Sequence, residues 1–381
     1  MSFEYYIQSG GKKLRCGYTT GTCAALAAAG ATQFLLSKRI PDVLSIMTPK
    51  GIRVTVEPKF CRMEGDYACC AIEKDGGDDA DVTNGAWIEA CVCLTDDHGI
   101  QIEGGPGVGR VTRAGLDQPV GQAAINSVPR RMIQDAVQQI CRSWGFEGGV
   151  RVVVRVPDGE KLAPKTFNPH LGIEGGISIL GTSGIVEPMS TQALVDTIAI
   201  SLRQARAQGA KRIVLTPGNY GEAFLTQTGM DQMGIPIIKC SNFIGDALDE
   251  IAVLEFEEVL LVGHAGKLVK LAGGIMNTHS RWADCRSELF CAHAAICGAS
   301  QQICSQVMDA VTVDECIAVL DKVGLRQMVL ESLLQEIERH LYRRAAGAYR
   351  IGAVLFTNQF GFLGQTKEAA KILAQWEAIK K

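Results

Sequence analysis

The sequence lacks an excess of charge of either sign, a long apolar run, a secretion signal and a Cys-x-x-Cys pair, and each absence removes a class of function. Its 38 Lys and Arg against 41 Asp and Glu leave a net charge of −3. That gives no general attraction for nucleic acid or an acidic membrane face, so an anionic ligand must be held by local basic residues. No apolar run approaches the roughly 18 residues of a membrane span. The opening MSFEYYIQSGGKKL carries no apolar core of a signal peptide. The chain reads as a cytoplasmic enzyme or binding protein. Its 14 cysteines read as small buried thiols in a reducing cytosol. Cys285, Cys291, Cys297 and Cys304, with His293 among them, stand six or seven apart, which gathers no ligand set on one helix face. No protein-bound metal is expected. There is also no low-complexity linker and no evident repeat.

At 381 residues the chain exceeds one ordinary core, and two domains are expected. Residues 1–170 read as an α+β domain with glycine-rich loops. Val43–Pro58 predicts two strands around Pro49-Lys50-Gly51; Ala86–Thr95 and Val150–Pro157 predict two more, and Pro129 introduces a helix over Arg130–Ser143. Residues 171–381 read as α/β. Gly176–Leu180 predicts its first short strand, followed by a helix over Thr191–Gln208 that stops at Gly209. Strands Arg212–Thr216, Ile235–Cys240 and Glu258–Gly263 alternate with helical stretches, which implies a parallel sheet with right-handed crossovers. Helices near Asp284–Met308, Val313–Val323 and Arg326–Arg344, a strand over Ile351–Gln359 and a helix over Lys367–Ile379 complete the chain.

Ligands of such sheets bind beyond the carboxyl ends of the strands. The segments expected there are GTSG (181–184), PGNYG (217–221), SNFIGD (241–246) and GHAGK (263–267), all rich in glycine, hydroxyl or amide. None is the Gly-x-Gly-x-x-Gly of a dinucleotide site, so the glycines alone leave open a nucleotide, a sulfonium cofactor or a plain metabolite. A second candidate lies in LRCGYTTGTCAALAAAG, Leu14–Gly30, where Thr19-Thr20-Gly21-Thr22 precedes six alanines within Ala24–Ala31. A threonine there caps a helix, or the helix start receives an anion.

Seven ordered blocks carry a resemblance: LRCGYTTGTCAA, EGGPGVGRVTRAGL, PVGQAAINSVPRRMI, NPHLGIEGGISILGTSGIVEPMS, PGNYGE, SNFIGDALD and GHAGKLVKLAGGIMNTHSRWADCR. Over roughly Leu14 to Arg286 the chain resembles the CbiD family, while its last third matches only in style. The resemblance implies S-adenosylmethionine-dependent methylation of cobalt-precorrin-5B at ring carbon 1, giving cobalt-precorrin-6A in anaerobic cobalamin biosynthesis. It implies an α+β first domain and a Rossmann-like α/β second domain with a mostly parallel sheet. Its partners would be the tetrapyrrole and other enzymes of that pathway. A lysine common in the family one turn into the first helix is Ala29 here.

No residue roles come with the resemblance, so candidates follow from the chemistry. Methyl transfer from a sulfonium needs orientation and a water-poor crevice, and cobalt arrives with the substrate. Gly181, Thr182, Gly218, Asn219, Tyr220, Asn242 and Asp246 are the cofactor-binding candidates; Asp246 has a helix N-cap as its ordinary alternative. His264 and His279 could assist proton movement, with Asp284 orienting His279. The substrate's acetate and propionate groups ask for charge-assisted donors. Arg110 and Arg281 lead that set, with Arg113; Arg130, Arg131, Lys165, Lys267, Lys270 and Arg286 also stand in or beside the blocks. The turn Thr19, Thr20, Thr22 with Arg15 is expected to receive a tetrapyrrole carboxylate, or the carboxylate of the cofactor's methionine part. Two other classes stay open: a phosphate-handling enzyme, which ATP would stabilise thermally while S-adenosylhomocysteine would not, and a non-catalytic tetrapyrrole carrier.

Overall fold

The alanine-rich stretch becomes helix α1 (Thr20–Ser37), with Thr19 as its N-cap accepting from Thr22 N–H. Alanine favours helix without side-chain cost, and its slimness is used, since 14 of the 18 residues are buried. The structure, a computed structural model, describes residues 3–9 and 11–380. The chain divides into two compact units, Met1–Thr191 and Gln192–Lys381. The fold is mixed α/β, and among the described residues no helix is long and apolar enough to cross a membrane.

In the first unit, α1 packs on a five-stranded sheet and on helix α2 (Ser127–Ser143). The strands are β1 (Phe60–Glu64), β2 (Tyr67–Glu73), β3 (Trp87–Thr95), β4 (Ile100–Gly104) and β5 (Gly149–Arg155), in spatial order β1-β2-β3-β5-β4. Only β4 and β5 run parallel. Period-two alternation sends Val150, Val152 and Val154 of β5 into the same core as α1 and leaves Arg151 and Arg155 on the other face.

Three expectations change here. Gly176–Ile177 is not the first strand of the parallel sheet. It pairs with Gly107–Val108, and Ile185–Val186 pairs with Gly17–Tyr18, so residues 171–191 belong to the first unit. The glycines of GGPGVG serve backbone packing. Gly107 has φ +75°, and a Cβ there would stand 1.8 Å from the Val156 carbonyl oxygen. Nor are all the cysteines free. Cys69 on β2 and Cys91 on β3 are directly opposed and form a disulfide.

The second unit centres on strands β6 (Arg212–Thr216), β7 (Ile237–Lys239), β8 (Glu258–His264), β9 (Arg350–Thr357) and β10 (Gly361–Gln365). Their order is β7-β6-β8-β9-β10. The first three pairings are parallel, and β10 is an antiparallel edge. Both faces of the central strands are covered, which is why RIVLT and EVLLVG read as unbroken apolar runs. Ile213, Leu215, Val259 and Leu261 face one core; Val214, Leu260 and Val262 face another with Ile372 and Trp376. The long helix expected over Asp284–Met308 breaks at Gly298 into Arg286–Ile296 and Gln301–Asp309.

Candidate functional site

From β6 the chain winds outward to β7 and then returns past β6 to β8. In an open parallel sheet, this reversal leaves a crevice beyond the carboxyl ends of the two strands flanking it. Those strands are β6, which ends at Thr216, and β8, which ends at His264. Three of the four loops expected at that edge are there. The fourth, Gly181–Gly184, lies against the start of α1 in the first unit, where a Cβ on Gly181 would stand 2.3 Å from the Thr19 hydroxyl oxygen.

After β6, Pro217 leads into Gly218, the N-cap of helix α3 (Asn219–Thr228). Gly218 has φ 145° and ψ −176°, a region that is essentially glycine-only. Asn219 and Tyr220 open the helix and are exposed. The Tyr220 ring lies 6.0 Å from that of His264, and His264 meets Phe356 of β9 edge-on at 5.8 Å. Lys267, half-buried, donates from Nζ to the Pro217 carbonyl oxygen at 2.5 Å and joins the two strand ends. The carboxyl edge of β6 and β8 thus brings together Gly218, Asn219, Tyr220 and His264, with Lys267 and Phe356 in addition. In the sequence Lys267 stands only among the substrate-side cations, with GHAGK as its signal. For Phe356, inside an apolar strand, there is none.

His264 has a defined chemistry. Its Nδ1 accepts from Gly266 N–H at 3.1 Å, so the neutral ring carries its proton on Nε2. Burial holds its pKa below the usual histidine value, opposed by the charge of Asp314. It therefore presents an N–H donor; accepting a proton at Nε2 would first require a rearranged tautomer. Replacing His264 with Asn separates two roles, because an Asn side-chain oxygen reproduces the N-cap acceptor while the Nε2–H is lost. The expected result is a melting temperature close to the parent and a kcat/KM lower by about tenfold, the size of one lost hydrogen bond to a charged group. Unchanged kcat/KM would remove His264 from the site.

The other candidates are placed differently. Asn242, after β7, binds Thr278 through its backbone oxygen at 3.0 Å and its side-chain oxygen at 3.3 Å. It fastens the segment that carries His279 and Arg281. Asp246 is exposed in the first turn of helix Ile244–Val253, whose N-cap is Phe243, so it complements the helix dipole and does not cap it. His279 is exposed and its Nδ1 accepts from Arg281 N–H at 3.0 Å. Asp284 pairs with Arg286 and Lys270.

The Thr19–Thr22 turn is internally committed. The Thr20 hydroxyl accepts from Leu180 N–H at 2.9 Å, and the Thr22 hydroxyl donates to the Gly184 carbonyl at 2.6 Å. Gly21 N–H donates to Leu180 O at 3.0 Å. Arg15 holds Asp75 through both terminal nitrogens, at 2.5 and 2.8 Å. The turn's hydroxyls and glycine thus fit the Leu180–Gly184 loop. The Thr20→Val and Thr22→Val pair is expected to lower stability by about 1–3 kcal/mol, the cost of buried hydrogen-bonding groups left unpaired, with kcat/KM for substrate within twofold of the parent. A larger kinetic loss in a stable variant would restore the turn as a binding site.

Elsewhere in the first unit, Arg110, Thr112, Glu160 and Glu174 line an open cleft of about 660 Å³ with the Gly104–Val108 loop. The exposed Arg110 there donates to the Gly121 carbonyl at 3.1 Å. Arg113 is also exposed, its stem over Gly172. The cavity of about 760 Å³ in the second unit lies at the amino end of β9, on the edge opposite the crevice. Its Glu368 is paired with Arg350 and Lys371, which leaves it without the open chemistry of the β6–β8 edge. The metal-ligand cluster found among the described residues, Glu64, Cys69 and Cys91, has both thiols in the disulfide.

Comparison with known proteins adds the relatives. The family described as CbiD matches residues 7–188, and its C-terminal domain matches residues 277–367. The likeness therefore reaches beyond Arg286 into the last third of the chain. The cobalt-precorrin-5B C(1)-methyltransferase of Ruminiclostridium cellulolyticum is 46% identical over 358 residues, 93% of this chain and 92% of the relative. That of Alkaliphilus metalliredigens is 42% identical over 370 residues, 97% of each. The crystal structure of the cobalamin biosynthesis protein CbiD from Archaeoglobus fulgidus is 32% identical, covers 72% of this chain and 86% of its own, and superposes with a TM-score of 0.40.

Proposed function

This chain belongs to the CbiD family, and from that membership we propose how its second unit serves the reaction. The chain is an enzyme of cobalamin biosynthesis that methylates cobalt-precorrin-5B at C1. Its substrate is a tetrapyrrole, and it requires a methyl donor. In our reading the donor is S-adenosylmethionine, the product is cobalt-precorrin-6A, and the second unit is Rossmann-like. The crevice between β6 and β8 holds the donor. Gly218 leaves space for it, and Asn219 and Tyr220 hydrogen-bond its ribose, adenine or amino-acid end. His264 offers its Nε2–H.

The observation that supports this placement is the reversal of strand order between β6 and β8, with Gly218 in a glycine-only conformation at its mouth. A Cβ on Gly218 would meet no atom nearer than Lys267 Nζ, at 3.7 Å, so the space beside that backbone is open. The donor supplies a methyl on a positively charged sulfur, which keeps the electron pair of the breaking bond as the ring carbon forms the new one. The chain's own part is orientation. Holding two reactants in line is worth roughly 7–11 kcal/mol, and a dry crevice favours the dispersal of charge. In the second unit the exposed guanidinium of Arg281 offers a charge-assisted donor to the acetate and propionate carboxylates of the ring.

Anaerobic incubation with S-adenosylmethionine and cobalt-precorrin-5B should yield a product heavier by one methyl group. S-adenosylhomocysteine, and not ATP, should raise the melting temperature. Thermal stabilisation by ATP alone would favour the phosphate-handling class, and tetrapyrrole binding without transfer a carrier.

A further inference from the structure

Two of the buried lysines have clear partners. Lys74 is paired with Asp81. Lys270 has Asp284 at 3.6 Å and donates to the Thr278 and Ala283 carbonyl oxygens at 3.1 and 2.9 Å. Lys267 differs. Its one hydrogen bond goes to the neutral Pro217 carbonyl, and among the described residues no carboxylate lies within ion-pair distance. An ammonium has three donors, so two remain. They lie at the mouth of the crevice, since Nζ is the atom nearest to where a Cβ on Gly218 would stand. Half-burying a charge without a counter-charge is unfavourable, and the Pro217 bond holds that charge at the gap between the two strand ends.

We propose that Lys267 is a carboxylate clamp, whose ammonium receives the anionic carboxylate of a ligand in the β6–β8 crevice. The inference rests on the donor site described above and adds the group that anchors one end of its occupant. Two sources carry this chemistry: the α-carboxylate of the donor's methionine part and a peripheral carboxylate of the tetrapyrrole. The donor is the nearer fit, because Lys267 bridges the same strand ends that Gly218 and His264 occupy. Burial already lowers the Lys267 pKa, and a bound carboxylate would raise it again.

The test uses the full chain and calorimetry with two probes. S-adenosylhomocysteine has the carboxylate; S-adenosyl-3-thiopropylamine keeps the sulfide and amine but lacks it. The parent should prefer the first by at least about tenfold, the worth of one charge-assisted pair. In Lys267→Met that ratio should fall to within about twofold, with the affinity for the decarboxylated probe unchanged. Lys267→Arg should retain part of the preference and guards against a misfolded variant. If the ratio survives in Lys267→Met while KM for the tetrapyrrole rises at least tenfold, the clamped carboxylate is the substrate's. If both the ratio and KM are unchanged in the folded variant, the clamp is overturned. If the parent binds neither probe, the donor site itself falls, and the tetrapyrrole KM alone decides the clamp.

Discussion

Replacing Gly218 with Val is expected to weaken S-adenosylhomocysteine binding by at least about tenfold, or roughly 1.4 kcal/mol. Two effects combine. The backbone at φ 145° and ψ −176° is strained for any residue with a Cβ, at about 1–3 kcal/mol, so the loop shifts. The side chain also fills open space that the proposed donor site requires, since the one atom within 4 Å of a Cβ there is Lys267 Nζ, at 3.7 Å. A control isolates the second effect. Gly229, which ends helix α3 in a left-handed conformation at φ 71° with nothing within 4 Å of a Cβ, meets only the first. Gly229→Ala should lower stability by about 1 kcal/mol and leave affinity alone. Titration calorimetry on both variants decides the matter, and a folded Gly218→Val that binds like the parent would move the donor elsewhere.

Asp81→Ala should cost the first unit about 3–5 kcal/mol at pH 7, the range for breaking a buried ion pair from one side. Lys74 is 2% exposed and Asp81 21%. Removing the carboxylate leaves a buried ammonium without its ion-pair partner, and the more distant Asp75, already held by Arg15, replaces it only in part. Adding Lys74→Met should recover most of the loss, because an apolar pair of similar volume carries no desolvation penalty. The same pair predicts a pH dependence. Burial opposes the Asp81 carboxylate, but Lys74 and the Thr83 N–H and hydroxyl donors outweigh it and hold the pKa below the usual range. A group whose native pKa is depressed adds stability above its unfolded value, about 3.9. That stability is complete at pH 7 and is lost as pH falls below about 4 through the native value. Urea unfolding at several pH values tests both statements. An Asp81→Ala midpoint equal to the parent's would show the pair to be of no consequence.

The elements legible in the sequence were those written in local periodicity. RIVLT and the Glu258–Gly263 run became β6 and β8 because parallel strands covered on both faces need continuous apolar side chains. Of the candidate site, Gly218, Asn219, Tyr220 and His264 were legible as strand-end residues, because such loops carry their chemistry in a few consecutive residues. GTSG had the same composition and a different place. Composition names a turn, and only pairing says which strand it follows.

The sequence by itself determined the family, through ordered motif blocks, and the charge balance that leaves anion binding to local groups. It also determined the parallel strands β6, β7 and β8 and the helical stretches between them, though not the place of Gly176–Ile177. Tertiary structure alone decided the contacts between distant residues. Thr20 meets Leu180 across 160 positions, which gives a hydroxyl of the candidate anion turn a backbone partner. Cys69 reaches Cys91 only because β2 and β3 lie in register. Lys267 reaches Pro217 across 50 positions, and that bond sets its ammonium at the crevice. The physical reason is the same in each case. Burial and period are properties of a short segment, whereas a hydrogen-bond partner depends on where another segment folds.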